Sequence, residues 1–121
     1  MPSGTQGFDY INEVTIGGHK TDIVCHKFKN QTLLIVTQYG KMANVLSVEN
    51  QVFNGAMTNK QKVYEIKPKL GNVSDETQGA IRYLMNYLQC NNLIISLALK
   101  VINKDILIEL RDELGKIQCL K

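Results

Sequence analysis

The chain is poor in the residues that mark chemically active or exported proteins. It has no tryptophan, two prolines, two histidines and three cysteines. Cys25, Cys90 and Cys119 are spaced too widely for a disulfide framework or a zinc site, so we expect free thiols. Residues 1–30 lack a charged segment followed by an apolar one, and no apolar run reaches the roughly 20 residues of a membrane span. These absences predict a reducing intracellular location, the cytoplasm with the nucleus as a second compartment, and no membrane partner.

Charge of one sign is also scarce. The net charge is +3, and basic and acidic residues are interspersed rather than gathered into the basic stripe of a nucleic-acid binder. A hydrophobic content of 44% excludes a wholly disordered chain. At 121 residues the chain is long enough for one hydrophobic core. We predict no nucleic-acid partner, a flexible tail over residues 1–8 and a single domain over residues 9–121.

Combinations of residues that could carry catalysis are missing as well. Cys25 and His26 are adjacent, but consecutive side chains on a strand point to opposite faces, so they cannot act as nucleophile and base. His19 falls in a predicted turn, and two histidines without an acidic cluster do not form a metal site. Gly17-Gly18 lacks the sequence context of a phosphate-binding loop. We therefore predict that the protein is not an enzyme and has no catalytic residues, no metal and no cofactor.

The stretch from Thr32 to Val48 is the most informative part of the sequence. Leu33–Val36 is an uninterrupted apolar run, too short for a helix, which predicts a central strand buried on both faces. After Gly40 the apolar residues alternate more loosely, as is typical of a strand nearer the edge of a sheet. Because glycine tolerates the positive φ of a tight turn, we predict two strands folded back on each other around Gly40.

Other strands are indicated by shorter apolar or alternating segments. Gly17-Gly18 joins the first two as a hairpin, since both glycines tolerate positive φ. Pro68 has no backbone N–H and is expected to end the ladder of the fifth strand. The predicted segments are Tyr10–Ile16, Lys20–Phe28, Val63–Ile66 and Leu93–Leu99.

Two helices are indicated by capping residues that precede apolar stripes. Ser74 is placed to cap the first helix and Asn103 the second. The stripes, at helical spacing, are Ile81, Leu84, Met85 and Leu88, then Leu107, Leu110, Leu114 and Ile117. The order of five strands, helix, strand and helix predicts an α+β fold with a mainly antiparallel six-stranded sheet and helices on one face. The other face then lacks cover, so we predict a dimer.

Two surface features could bind a partner. Tyr39, Lys41 and Met42 place an aromatic ring, a cation and a thioether at the predicted strand turn. Lys60 and Lys62 begin a lysine-rich segment around the fifth strand. We predict these five as partner-binding residues. The alternatives are that Tyr39 and Met42 pack inward and that the lysines only protect a sheet edge.

The segments 21–28, 33–42 and 46–49, with Thr37-Gln38-Tyr39-Gly40-Lys41-Met42 at their centre, resemble the proteasome assembly chaperone 3 family. The resemblance covers residues 11–49 well, with a weaker similarity from Leu93 to the last helix. It implies a small non-enzymatic α+β protein that dimerises with a sister chaperone of the same fold or with itself. It also implies that the dimer helps to order proteasome α subunits into a ring and then dissociates. The alternative reading is a small basic module that binds nucleic acid or another protein complex.

Overall fold

The computed structural model describes residues 8–40, 44–51, 63–71, 73–88, 92–117 and 120. Within these ranges six strands form one sheet, accompanied by two helices. In chain order the elements are β1 Tyr10–Ile16, β2 His19–Lys27, β3 Thr32–Thr37, β4 Val45–Gln51, β5 Val63–Leu70, α1 Asp75–Met85, β6 Asn92–Ala98 and α2 Lys104–Leu114. The predicted α+β class and the order of five strands, helix, strand and helix are confirmed.

The sheet order is β1-β2-β3-β6-β4-β5, and every neighbouring pair is antiparallel except β3 and β6. The predicted pairing of the two strands on either side of Gly40 is therefore wrong, because β6 lies between β3 and β4. The two most continuously apolar strands sit side by side at the centre, where Leu34 is opposite Ile95 and Val36 is opposite Leu97. At the centre of the sheet both edges of each strand are hydrogen-bonded to a neighbour. The predicted burial of β3 on both faces is not seen among the described residues, since Leu33 and Ile35 on the second face are only partly buried.

The turn between β1 and β2 is the predicted glycine hairpin. Gly17 has φ 61° and Gly18 has φ 81°, the left-handed conformation that glycine adopts without a steric penalty. The backbone N–H of Gly17 donates a hydrogen bond to Glu109 Oε1 at 3.1 Å, which joins the turn to α2. Ile106 of α2 also lies against Gly17, 2.8 Å from the position that a β-carbon would occupy.

Pro68 does not end the fifth strand as predicted, since β5 continues to Leu70. Pro68 is opposite Leu46, next to a register shift between Val45 and Leu46. Among the described strands β5 lies at the edge of the sheet and pairs with β4 alone, so a residue without an N–H can occupy it if that side faces away from the ladder.

Both helices begin where the sequence predicts. The Ser74 hydroxyl accepts a hydrogen bond from the Thr77 N–H at 3.1 Å, and the Asn103 carbonyl oxygen accepts one from the Ile106 N–H at 2.9 Å. In both helices the acceptor is a side-chain oxygen, Oγ of Ser74 and Oδ1 of Asn103, and such caps satisfy backbone donors that the first helical turn leaves free. Each cap therefore fixes where its helix starts on the sheet.

The hydrophobic core lies between the helices and one face of the sheet. Its strand residues occupy alternate positions and include Ile23, Cys25, Leu34, Val36, Leu46, Val48, Leu93, Ile95 and Leu97. Its helix residues include Ile81, Leu84, Met85, Ile106, Leu110 and Leu114. Fully burying one such side chain contributes about 1.5–3 kcal/mol. Cys25 is disulfide-bonded within this core, so the expectation of three free thiols is wrong.

Candidate interaction surfaces

The face of the sheet that points away from α1 and α2, here called the open face, carries an apolar centre of its own. Its side chains alternate with those of the core, so they belong to the opposite side of each strand. They are Ile11, Val24, Leu33, Ile35, Val45 and Ile94. None of the six belongs to the core cluster, and Ile11 is 62% exposed. No helix among the described residues covers this face.

A depression of about 580 Å³ opens at one end of the open face. Its lining includes the apolar side chains of Ile11, Val24 and Ile35 and the carboxylates of Glu13 and Asp22. Asn12, Thr37 and Gly40 complete the lining. The depression therefore offers an apolar floor with acidic groups beside it.

Two polar side-chain atoms on the open face are buried without a hydrogen-bond partner among the described residues: the Ser96 hydroxyl and His26 Nδ1. His26 lies between Phe8 and Phe28, with ring centroids 6.0 Å and 4.5 Å away, and its Nδ1 is 3.6 Å from Asp9 Oδ2. Buried polar groups normally make a hydrogen bond, so two that make none on the same uncovered face are consistent with a surface completed by another molecule.

The second surface, here called the Tyr39 end, lies where β3 and β6 finish. Because these strands are parallel, their carboxyl ends meet at the same edge of the sheet. Tyr39 follows β3 and is 54% exposed, while Lys100 follows β6 and places its Nζ 5.7 Å from the centroid of the Tyr39 ring. Val101, the next residue, is also exposed. An aromatic ring, a cation and an apolar side chain are thus presented together.

Gln38 holds the Tyr39 end in place and is itself buried. Its Nε2 donates to the carbonyl of Ile16 at 3.1 Å and to the Thr21 hydroxyl at 2.9 Å. Its Oε1 accepts from the Lys100 N–H at 2.8 Å. One side chain, next to Tyr39 in the chain, therefore joins the β1–β2 hairpin to the connection between β6 and α2.

A buried asparagine strengthens the same end of the sheet. Asn44 Nδ2 donates to the Leu97 carbonyl at 2.9 Å, and Asn44 Oδ1 accepts from the Leu97 N–H at 3.0 Å. The side-chain amide thus makes the two hydrogen bonds that a backbone neighbour would make to β6. It extends the attachment of the chain to β6 just before β4 begins.

The five residues predicted to bind a partner are only partly accounted for. Tyr39 is exposed, which removes the alternative that it packs inward, and Gly40 has the predicted positive φ, at 77°. The other four, Lys41, Met42, Lys60 and Lys62, lie outside the described residues, as does most of the predicted tail.

The sequence reading missed Gln38, Lys100 and Val101 as neighbours of Tyr39. The matching apolar runs of β3 and β6 were the signal that could have placed these strands together.

The helix layer carries a cluster of a different kind. Arg111 Nη1 donates to the Tyr83 hydroxyl at 3.2 Å, and its guanidinium carbon lies 4.5 Å from the centroid of the Tyr87 ring. Partial burial and the hydrogen bond with Tyr87 raise the pKa of Tyr83 above its ordinary value. Cation–π contacts of this type join neighbouring elements, so this cluster connects the ends of α1 and α2.

The described residues contain no group of three or more His, Cys, Asp or Glu side chains placed to hold a metal ion. In the same part of the chain no helix is both long enough and apolar enough to cross a membrane.

A family model for proteasome assembly chaperone 3 matches residues 34–116, which is more than half of the chain. That range includes residues 50–90, which the resemblance read from the sequence did not cover. Among solved structures, the chain is similar to one from a chaperone complex for yeast 20S proteasome assembly, with a TM-score of 0.70 and 12% sequence identity. The similarity covers 93% of this chain and 98% of that one, and at this identity it shows a shared fold. A search of curated proteins gives no match.

Proposed function

Because the chain belongs to the proteasome assembly chaperone 3 family, we propose that it is a binding-only chaperone that orders proteasome α subunits into a ring and then dissociates. The family match over residues 34–116 is the observation that carries this proposal. In this proposal the protein acts in the cytoplasm, with the nucleus as a second compartment. Binding needs no catalytic group, and the surfaces described above are of types that serve binding: one apolar and uncovered, the other exposed at a strand end.

The open face is the dimerisation surface in this proposal, and the second subunit is a sister chaperone or a second copy. Ile11, Val24, Ile35 and Ile94 would otherwise remain outside any hydrophobic core. Packing two sheets face to face buries such side chains in a shared core about 10 Å thick. The unpaired Ser96 hydroxyl on the same face supports this assignment.

We expect Ile11→Lys to weaken dimerisation while leaving the fold intact. Ile11 is 62% exposed in the single chain, so a lysine there disturbs no core packing but places a charge in the apolar part of the interface. Sedimentation equilibrium of wild type and variant gives the two dissociation constants. Gly79→Lys is the control, since Gly79 is exposed on α1 and nothing lies within 4 Å of a β-carbon there. Equal dissociation constants for wild type and Ile11→Lys would remove the open face from the interface.

The Tyr39 end, together with the segment containing Lys60 and Lys62, is the proposed contact with the α subunit. Tyrosine is enriched at interface hot spots because its ring buries a large area with little loss of rotamer freedom. Lysines at the rim of an interface mainly raise the rate of association, and they leave complexes that can later separate. A chaperone that leaves the finished particle needs such a reversible contact.

We expect Tyr39→Ala to shorten the lifetime of the complex with an α subunit, because an exposed anchor acts mainly on dissociation. Lys60→Glu with Lys62→Glu should slow association instead. The protein is co-expressed with its sister chaperone and one tagged α subunit at a time, and capture and binding rates are measured. Tyr87→Ala serves as the control, because it removes a tyrosine of similar exposure from the helix layer.

Failure of the wild-type dimer to capture any α subunit would refute the proposed function. If the wild type captures an α subunit and Tyr39→Ala does so equally well and for equally long, the contact lies elsewhere on the chaperone.

A further inference from the structure

Lys100 has a defined position at the Tyr39 end although it is exposed. Its backbone N–H donates to Oε1 of the buried Gln38 at 2.8 Å. Its Nζ lies 5.7 Å from the centroid of the Tyr39 ring, and a cation is attracted to an aromatic face over distances of up to about 6 Å. The first contact fixes the backbone and the second directs the ammonium group, so the cation is held beside Tyr39.

The contact with Tyr39 does not neutralise the charge of Lys100. Elsewhere in the described part of the chain, four basic side chains lie 3.3–3.6 Å from a carboxylate oxygen, namely those of Lys20, Lys67, Arg111 and Lys116. Lys100 forms no ion pair with a carboxylate of the described residues. An aromatic ring attracts a cation without supplying a negative charge, so the ammonium group remains available to an anion of another molecule.

The surroundings of Lys100 favour a carboxylate that lies next to an apolar side chain. Tyr39 is 54% exposed and Val101 is 47% exposed, so a partner that covers both also removes water from the ammonium group beside them. A charge that is taken out of water must be balanced, because burying it unpaired is strongly unfavourable. A carboxylate balances the charge and accepts a charge-assisted hydrogen bond, whereas a neutral carbonyl oxygen leaves the charge uncompensated.

A protein carboxylate fits the Tyr39 end better than the phosphates of a nucleic acid. Nucleic acids are bound through several phosphate contacts, which need several cations along one surface. Lys104 and Asp105 follow Lys100 at the start of α2, so basic and acidic groups alternate in this part of the chain. One cation beside an exposed tyrosine can instead match one acidic side chain of a protein surface.

We propose that Lys100 determines the specificity of the Tyr39 end, and that the α subunit bound there presents an aspartate or glutamate to it beside an apolar side chain. The inference rests on the proposed function, in which the Tyr39 end contacts the α subunit. An α subunit without this carboxylate would bury the charge of Lys100 unpaired, so one side chain separates similar subunits. Because the ion pair is covered by the partner, Lys100 acts on dissociation, in contrast to the association effect proposed for Lys60 and Lys62.

Lys100→Met tests the charge, because methionine keeps an unbranched stem beside Tyr39 and carries no charge. With an α subunit that the wild type captures, we expect Lys100→Met to raise the dissociation constant about tenfold and Lys100→Glu about a hundredfold, mainly through faster dissociation. Lys29→Glu is the matched control, since Lys29 is exposed in the connection before β3, at the opposite end of that strand from Tyr39. It should change the dissociation constant by less than about twofold. Equal dissociation constants for Lys100→Glu and Lys29→Glu would overturn the proposal.

An exchange of charges between the two proteins separates a direct contact from a structural role of Lys100. Exposed aspartates and glutamates of the captured α subunit are changed to lysine one at a time. At one position the change should weaken capture by the wild type and restore capture by Lys100→Glu, which a residue with a structural role alone would not produce. If no position restores capture, the proposal is wrong.

The same measurements distinguish this inference from the proposed function. If the wild type captures no α subunit, the proposed function fails and this inference fails with it. If the wild type captures an α subunit and Lys100→Glu and Lys100→Met capture it equally well, this inference alone fails.

Discussion

Gln38→Leu is expected to lower the free energy of unfolding by about 3 kcal/mol, because it removes three hydrogen bonds, two of them buried, at once. The Ile16 carbonyl, the Thr21 hydroxyl and the Lys100 N–H all lose their hydrogen bond to the Gln38 amide. Each unsatisfied buried group costs about 1–3 kcal/mol. Leucine fills a similar volume, so the loss reports the hydrogen bonds rather than a cavity.

Urea denaturation of the wild type and the variant measures this difference directly. Gln31→Leu is the matched control, because Gln31 is exposed and its described hydrogen bond is made by the backbone carbonyl. It should change the free energy of unfolding by less than about 0.5 kcal/mol. In the capture assay Gln38→Leu should also weaken α-subunit binding, since Tyr39 and Lys100 lose the group that holds them together. Equal stability of Gln38→Leu and Gln31→Leu would show that the amide network contributes nothing.

Gly17→Ala is expected to destabilise the fold by about 3 kcal/mol, from a strained backbone together with a steric clash. Gly17 has φ 61°, and a β-carbon there would lie 2.8 Å from Ile106 Cδ1. Gly18→Ala isolates the first contribution. Gly18 has φ 81° but nothing within 4 Å of its β-carbon position, so its alanine variant should lose only about 1 kcal/mol.

Ile106→Val tests the steric part independently, because it removes the Cδ1 atom that the new methyl group would meet. In that background Gly17→Ala should cost less than in the wild type, and the difference is the coupling energy of a double-mutant cycle. Thermal or urea denaturation of the four proteins provides the values. A cost of Gly17→Ala that is unchanged by Ile106→Val would mean that α2 shifts freely away from the turn.

The elements of the fold could be predicted because each has a local cause. The glycine pair at Gly17 sets a hairpin, the caps at Ser74 and Asn103 set helix starts, and the apolar stripes set the helix faces. The neighbour of β3 could not be predicted in this way. A turn at Gly40 is a local signal, whereas the pairing of Leu34 with Ile95 joins residues from distant parts of the chain. β3 pairs with β6, the other continuously apolar strand, and not with β4, which follows it in the sequence.

The candidate surfaces also combine features that local sequence predicts with features that depend on strand pairing. An exposed Tyr39 at a strand end could be anticipated from residue type and position, and the uncovered sheet face from the small number of helices. The contact of Tyr39 with Lys100 depends on the parallel pairing, so no local pattern revealed it. The opposition of Glu13 to Asp22 depends on the register of the hairpin, which becomes known only when every pair in the ladder is known.

The central position of β6 has a consequence for the order of folding. Among the described strands β6 comes last in the sequence, yet β3 and β4 are joined in the sheet only through β6. During synthesis, the edge of β3 that pairs with β6 therefore remains without a partner until residues 92–98 have left the ribosome. Closing a ladder between Leu34 and Ile95 also requires a long loop to close, which slows folding. The sheet of this chaperone is thus completed late in folding. Until then the exposed edge of β3 could pair with a strand of another chain.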